Sequence, residues 1–217
     1  MNTYQSGTGR LADDLFLIAH DDYSGKAAAT SKTLDPALAG ALLGELLLDG
    51  RIAVTNGQVF VANDRLRKEP VADMILDEII RRGDGHAVRA WVRFLAPRVR
   101  DQIGDRLVSA GWVRRERVRR LNLRTTVRWP GVDPNRAAVP RAVLTTILER
   151  SNEPLDTRTA MLAALVRSGG VLRVLNLVDR SAAERIATSR RLLPPGPRDL
   201  LDGVDATIAA SAVPARH

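Results

Sequence analysis

The chain has 217 residues, of which 45% are hydrophobic, 27% charged and 4% aromatic. This composition supports one sizeable core and excludes a disordered or fibrous chain. Because cysteine is absent, disulfides, thiolate catalysis, zinc ribbons and iron–sulfur clusters are excluded. The formal net charge is +8, from 33 basic against 25 acidic side chains, which favours an anionic partner such as nucleic acid or a membrane surface.

The excess charge is concentrated in residues 98–128. This segment holds ten arginines against Asp101, Asp105 and Glu116, so it carries +7 and leaves +1 for the rest of the chain. The ten are Arg98, Arg100, Arg106, Arg114, Arg115, Arg117, Arg119, Arg120, Arg124 and Arg128. They predict one basic surface on an otherwise balanced protein, the alternative being a solvated face of an arginine-rich chain.

The N-terminal third is predicted to be mostly helical. Residues 1–9 lack periodicity and are expected to form a flexible tail before a single domain over residues 10–213. Helical spacing of apolar residues predicts a first helix from Leu11. A second helix is predicted over residues 34–49, with Asp35 as N-cap, Pro36 at the first helical position and Gly50 as the stop. Glycines inside this second helix predict the close approach of another element.

Two hairpins interrupt the later helices. Residues 52–61 contain Asn56-Gly57 between two β-rich runs, which is the strongest short signal for a hairpin. Helices follow at residues 71–82, 86–95 and 99–110. Strict alternation from Leu121 to Trp129, after residues 113–118, predicts a second hairpin over residues 113–129, called the basic hairpin below. Its Leu, Thr, Val and Trp side chains are predicted to share one face, opposite Asn and Arg.

The remaining helices are predicted near residues 135–149, 156–167, 181–191 and 198–211. The fold class is therefore mainly α: a single-domain, helical bundle-like core with two β-hairpins, at about 52–61 and 113–129. The chain contains no secretory h-region and no run of about 18 apolar residues. We expect it to be cytoplasmic, either free or peripheral on the cytosolic face of a membrane.

The search for catalytic chemistry is negative. The sequence contains no phosphate-binding glycine loop, no nucleophile elbow and no HExxH motif. His20, Asp21 and Asp22 are three adjacent side chains of the kind that bind metal ions. Because adjacent residues on a turn point in divergent directions, they are not expected to bind one ion together. We therefore expect no metal site, no cofactor and no enzymatic activity.

Three interpretations of the basic hairpin remain open at this point. Its arginines can bind nucleic-acid phosphates, as β-ribbon proteins do, although RNA readers place aromatic residues among the basic ones. Alternatively, the arginines can meet anionic lipid headgroups while Leu121 and Leu123 at the tip enter the membrane interface. The third interpretation buries the two leucines in a homo-oligomer contact.

Six segments in order resemble the GPP34 family, whose eukaryotic members are the Golgi phosphoprotein 3 proteins. LADDLFLIAHDDYSG is similar to the family's opening helix and turn, and LDPALAGALLGELLLDGRI to its small-residue helix. ILDEII, AVRAWVRFL, RLVSAGWVRRERVRRLNLRTTVRWP and DTRTAMLAALVRSGGVL resemble its later elements. The resemblance as a whole runs in order from about Leu11 to Ala210.

The resemblance implies a mainly helical, non-enzymatic peripheral membrane protein that binds phosphatidylinositol 4-phosphate and acts as an adaptor for a protein client. Of the family's four headgroup positions, one falls on Arg100. The others fall on Pro97 (with Arg98 adjacent), Ala39 and, loosely, Thr30.

The predicted sites follow from this resemblance and from the charge pattern. Arg100 and Arg98 are expected to hold the headgroup of an anionic phospholipid or phosphoinositide. Leu121 and Leu123 are the expected hairpin-tip anchor. The basic, membrane-facing residues of the hairpin are expected to be Arg114, Arg115, Arg117, Arg119, Arg120, Arg124 and Arg128.

Overall fold

The computed structural model describes residues 7–65, 69–119, 125–150, 154–177 and 180–212. Within these ranges the chain forms eight α-helices, one short 3-10 helix (Leu172–Leu175) and five strands, which confirms the mainly α class with two hairpins. The helices are α1 (Leu11–Ala19), α2 (Ser31–Leu48), α3 (Pro70–Arg82), α4 (Val88–Ser109), α5 (Pro134–Arg150), α6 (Thr157–Ser168), α7 (Arg180–Leu192) and α8 (Pro195–Ala212). The strands are β1 (Ile52–Thr55), β2 (Gln58–Val61), β3 (His86–Ala87), β4 (Glu116–Arg119) and β5 (Thr125–Arg128).

Helix α2 lies at the centre of the core, where it contacts α1, α4, α6 and α8. A Cβ atom on Gly40 would lie 2.3 Å from Cγ2 of Val204, and one on Gly44 would lie 2.7 Å from Cδ2 of Leu11. The close approach predicted from these glycines is therefore confirmed. None of the helices in the described ranges is long and apolar enough to cross a bilayer.

The predicted start of α2 is wrong. The helix begins at Ser31 with Thr30 before it, and Pro36 lies inside the helix. Asp35 is not a cap, because its carboxylate accepts hydrogen bonds from Arg100 of α4. The end of the helix is confirmed, since Gly50 follows it with a φ of 65°.

The two helices predicted over residues 86–110 are one helix, α4. Pro97 lies inside it, and the buried stripe formed by Val92, Leu95, Val99 and Ile103 continues across the proline. Burial of this continuous stripe outweighs the hydrogen bond that the proline cannot donate. Residues 86–87 form strand β3 instead, which extends the first hairpin to three strands in the order β1-β2-β3.

The first hairpin forms around the turn that the sequence predicts. Asn56 and Gly57 have φ values of 51° and 70°, the left-handed conformation that a tight type I′ turn requires. Ile52 pairs with Val61 and Thr55 with Gln58. Asp156 accepts a hydrogen bond from the Thr159 amide at 2.9 Å and so caps α6.

Candidate functional site

The basic hairpin is anchored to the core at its base. Trp129, which is 2% exposed, packs so closely on α4 that a Cβ atom on Gly104 would lie 2.5 Å from its ring. The Trp129 amide also donates to the carbonyl oxygen of Gly25 at 3.1 Å, in the loop between α1 and α2. These contacts fix the position from which the two strands leave the body of the protein.

Outward from Trp129, the face that the alternation predicts does not pack on the core. Thr125 and Val127 lie on the face predicted for Leu, Thr, Val and Trp, yet both are exposed, Val127 by 37%. Arg117 and Arg119 share this face, because they pair with Val127 and Thr125 respectively. The alternation itself is observed, but the hairpin projects from the body and only its base reaches the core. The tip residues Arg120, Leu121, Leu123 and Arg124 lie outside the described residues.

Several arginines of the basic segment are held by acidic partners. Arg115 binds Asp101 and Asp105, at 3.0 and 3.1 Å, and its guanidinium lies 5.1 Å from the centre of the Trp129 ring. Arg114 donates to Glu116 at 2.7 Å and to the Gly131 carbonyl oxygen at 3.0 Å. Both arginines therefore stabilise the hairpin base, and their charge is partly compensated within the molecule.

Arg106 has a structural role, although the charge count of residues 98–128 assigned it to the predicted basic surface. Its side chain is 10% exposed, and its guanidinium lies 2.6 Å from Asp13, 3.2 Å from Glu45 and 3.4 Å from Glu69. Desolvation opposes its charge, but the Glu45 and Asp13 carboxylates outweigh this effect and raise the pKa of Arg106 above its ordinary value. The network joins α4 to α1, α2 and the start of α3.

Burial changes the titration of the first turn of α1. It raises the pKa of Asp13 to about 7, although Arg106 acts in the opposite direction. Burial also raises the pKa of Asp14, which accepts hydrogen bonds from the amide and hydroxyl of Thr8 at 2.8 and 2.9 Å. Local spacing in the sequence does not reveal this network, because Arg106 is distant in sequence from Asp13 and Asp14.

Four arginines of the segment have a different environment. Among the described residues, no carboxylate lies within ion-pair distance of Arg98, Arg117, Arg119 or Arg128. Arg98, Arg117 and Arg119 are exposed, while Arg128 is half-buried on the opposite face of β5. These are the basic-segment charges that the described structure leaves for an external anion.

A groove of about 490 Å3 lies between α2, α4 and the end of α8. Asp35, Pro36, Pro97 and Thr207 line it, together with the basic residues Lys32 and Arg93. Thr30, which precedes α2, makes no side-chain capping bond, so the first turn of α2 borders the groove without that cap. Sequence reasoning placed Pro97 beside a headgroup site but missed Lys32 and Arg93, which become neighbours only when three helices meet.

The predicted headgroup residues differ in their availability. Arg98 is exposed on α4 next to the groove residue Pro97. Arg100 is half-buried, and its Nε atom donates to Oδ1 of Asp35 at 3.0 Å, with Nη2 bonded to the same oxygen. Ala39, the position of another family headgroup residue, is fully buried in the core.

The cluster of His20, Asp21 and Asp22 does not converge on one point. The His20 ring stacks on Phe16, bonds its carbonyl oxygen through Nδ1 at 2.7 Å and is buried, which lowers the pKa of His20 to about 4. Asp22 binds Arg141, and Asp21 accepts from the Ser24 amide. In the described part of the chain no group of three or more histidine and acidic side chains could hold a metal ion.

Comparison with known protein families identifies the family of the chain. The family model described as Golgi phosphoprotein 3 (GPP34) matches residues 11–204. The chain belongs to the Golgi phosphoprotein 3 (GPP34) family. The match covers α1 to α7, the basic hairpin and the first part of α8, and it confirms the resemblance drawn from the six segments. No curated protein matches the chain.

Proposed function

We propose that this GPP34-family chain is a non-enzymatic peripheral protein that docks on anionic membrane lipid through the basic hairpin and serves as an adaptor for a protein client. The observation that carries the lipid proposal is the placement of Arg117 and Arg119 on the exposed face of the projecting hairpin, with no ion-pair partner among the described residues. A basic side chain at an anionic bilayer surface contributes about 1 kcal/mol to binding.

The composition of the exposed hairpin face favours contact with a lipid surface over simple exposure to water. Val127 lies directly opposite Arg117 in the strand pair, so an apolar group is interleaved with the charges. Arginine side chains can bury their methylene stems at an interface while the guanidinium stays near the phosphates. At the tip, Leu121 and Leu123 are proposed to form a shallow anchor, flanked by Arg120 and Arg124.

The groove supplies a second region with affinity for anions. Lys32 and Arg93 line it, and the first turn of α2 presents the positive end of the helix dipole there. The exposed Arg98 follows the lining residue Pro97 along α4. We assign this groove a contributing role, because its basic side chains are exposed and Arg100 is already paired with Asp35.

The test is co-sedimentation of the whole chain with vesicles. We expect binding to vesicles that contain phosphatidylglycerol, no binding to pure phosphatidylcholine vesicles, and loss of binding as added salt shortens the Debye length to about 3 Å at 1 M. Absence of binding to every anionic vesicle at low salt would contradict the proposal. A gel shift with duplex DNA and RNA tests the alternative, and tight binding at physiological salt would favour nucleic acid instead.

A further inference from the structure

A second cavity, of about 310 Å3, lies at the other end of α2 from the groove. The end of α2, the start of α3, the residues that precede α1 and Arg158 of α6 meet there. Its volume is at the lower end of the range for small-molecule sites. The charged residues that line it are three arginines and four acids: Arg10, Arg51, Arg158, Glu45, Asp49, Glu69 and Asp73.

Two buried guanidinium nitrogens at this cavity have no hydrogen-bond partner among the described residues: Nη2 of Arg51 and Nη1 of Arg158. Arg51 is 3% exposed, and its Nε atom donates to the carbonyl oxygen of Asn63 at 2.9 Å, which holds the side chain in place. The described ranges contain four such unpartnered buried side-chain atoms, and two of them belong to this one cavity. Because a buried cationic donor without an acceptor is costly, the cavity favours a group that accepts hydrogen bonds.

The carboxylates that line the cavity are already held by donors of the protein. Glu45 and Glu69 bind Arg106, at 3.2 and 3.4 Å. Glu69 also accepts from the Ala72 amide at the start of α3, and Asp73 accepts from the Glu69 amide at 3.0 Å. None of their oxygens is among the buried, unpartnered atoms of the described structure. The unsatisfied hydrogen-bonding capacity of the cavity therefore belongs to cationic donors, and its complement is an anion.

The surrounding charges select the kind of anion. Four carboxylates line the cavity, so a doubly charged phosphate would meet stronger repulsion than a singly charged carboxylate. A carboxylate has two oxygens that accept charge-assisted hydrogen bonds from guanidinium groups, so one carboxylate can serve both Arg51 and Arg158. The acidic residues also suit an ammonium group beside the carboxylate, as in a free α-amino acid.

We propose that this cavity binds a small carboxylate ligand and that Arg51 and Arg158 hold its carboxylate group. The cavity shares no lining residue with the groove or with the basic hairpin, and the inference does not depend on lipid docking. A free amino acid and the C-terminal residue of a peptide share this chemistry.

Calorimetric titration of the full chain tests the site. The probe is N-acetylglycine, and N-acetylglycinamide is its neutral counterpart of the same shape. We expect saturable binding of the acid that is at least about tenfold tighter than binding of the amide, the scale of one charge-assisted hydrogen bond. Equal binding of the two, or no saturable binding of either N-acetylglycine or glycine, would overturn the proposal.

Titration with glycine distinguishes the two sources of the carboxylate. Tighter binding of glycine than of N-acetylglycine identifies a free amino acid, because only glycine brings an ammonium group to the acidic residues. The reverse order identifies the C-terminus of a peptide. Either order supports the carboxylate site.

Arg158→Gln removes one of the two donors and should weaken the binding of N-acetylglycine at least about fivefold. Its matched control is Arg167→Gln, which makes the same change in charge at an exposed position on the same helix, outside the cavity. The control should keep the wild-type affinity. N-Acetylglycine should also raise the unfolding temperature of the wild type and of the control more than that of Arg158→Gln, because a ligand stabilises only the protein that binds it. Equal affinities of the two variants would overturn the role of Arg158.

Discussion

Arg106 and Arg117 belong to the same basic stretch of sequence but have opposite environments. Arg106 is buried among Asp13, Glu45 and Glu69, whereas Arg117 is exposed on a strand that projects from the body. The first arginine holds four elements together, and the second has no carboxylate within ion-pair distance among the described residues. This contrast shows that a count of charges along a segment of sequence overstates the charge that is accessible to a binding partner.

Replacement of Arg106 should give the largest effect on stability. Arg106→Met leaves buried carboxylates without their cation, and breaking a buried ion pair in this way costs about 3–5 kcal/mol. Arg117→Gln should change the free energy of unfolding by less than about 0.5 kcal/mol, as is usual for a surface substitution. Urea unfolding of both variants measures the difference. Equal stability of the two variants would remove the distinction between the regions.

A smaller effect on stability is expected at the junction of the two regions. Gly104→Ala places a Cβ atom 2.5 Å from the Trp129 ring, so either α4 or the hairpin base must shift. Such overpacking costs about 1–3 kcal/mol. Near-ultraviolet circular dichroism and urea unfolding would report the displaced tryptophan. A variant with wild-type stability and an unchanged tryptophan signal would show that the hairpin is not anchored through this contact.

The smallest expected effect is a dependence of stability on pH in the buried region. Because the folded-state pKa of Asp13 is raised to about 7, its contribution to stability is complete below about pH 4 and is lost as pH rises through 7. His20 acts in the opposite direction, since its pKa is lowered to about 4 and its contribution grows as pH rises from about 4 to 6.5. The two effects offset each other over most of this range.

Asp13→Asn separates the two contributions. In this variant the part of the loss that Asp13 causes should disappear, while the part that Asp14 causes through its own raised pKa remains. The rise that His20 causes between about pH 4 and 6.5 should therefore be more visible than in the wild type. Thermal unfolding at a series of pH values measures both slopes. An unchanged profile in Asp13→Asn would contradict the assigned titration of the network.

Local signals in the sequence were sufficient to predict most of the helices and both hairpins. Asn56-Gly57 predicts the first hairpin, because its turn requires the left-handed conformation that these residues adopt readily. Pro97 misled the prediction of α4, since burial of a continuous apolar stripe outweighed one lost hydrogen bond. Asp35 misled the prediction of α2, because a residue that has the chemistry of an N-cap was instead paired with Arg100.

The candidate site was less predictable for a related reason. The alternation in β5 correctly predicts that Thr125 and Val127 share a face, but only tertiary structure determines where the hairpin leaves the core. The groove unites Lys32, Arg93 and Thr207 from three separate helices, and no local pattern connects them. Likewise, the acidic partners of Arg100 and Arg106 are distant in sequence. The sequence alone therefore does not show that these two arginines are already paired and add little to the exposed charge of residues 98–128.

The most direct test of the account is the vesicle affinity of the triple variant Arg117→Gln/Arg119→Gln/Arg128→Gln. Its matched control, Arg89→Gln/Arg167→Gln/Arg191→Gln, removes the same charge from exposed arginines that lie on helices outside the hairpin. At about 1 kcal/mol per arginine, the hairpin variant should bind phosphatidylglycerol vesicles about 100-fold more weakly than the wild type at low salt, while the control stays much closer to the wild type. Equal losses in the two variants would contradict a docking surface located on the hairpin.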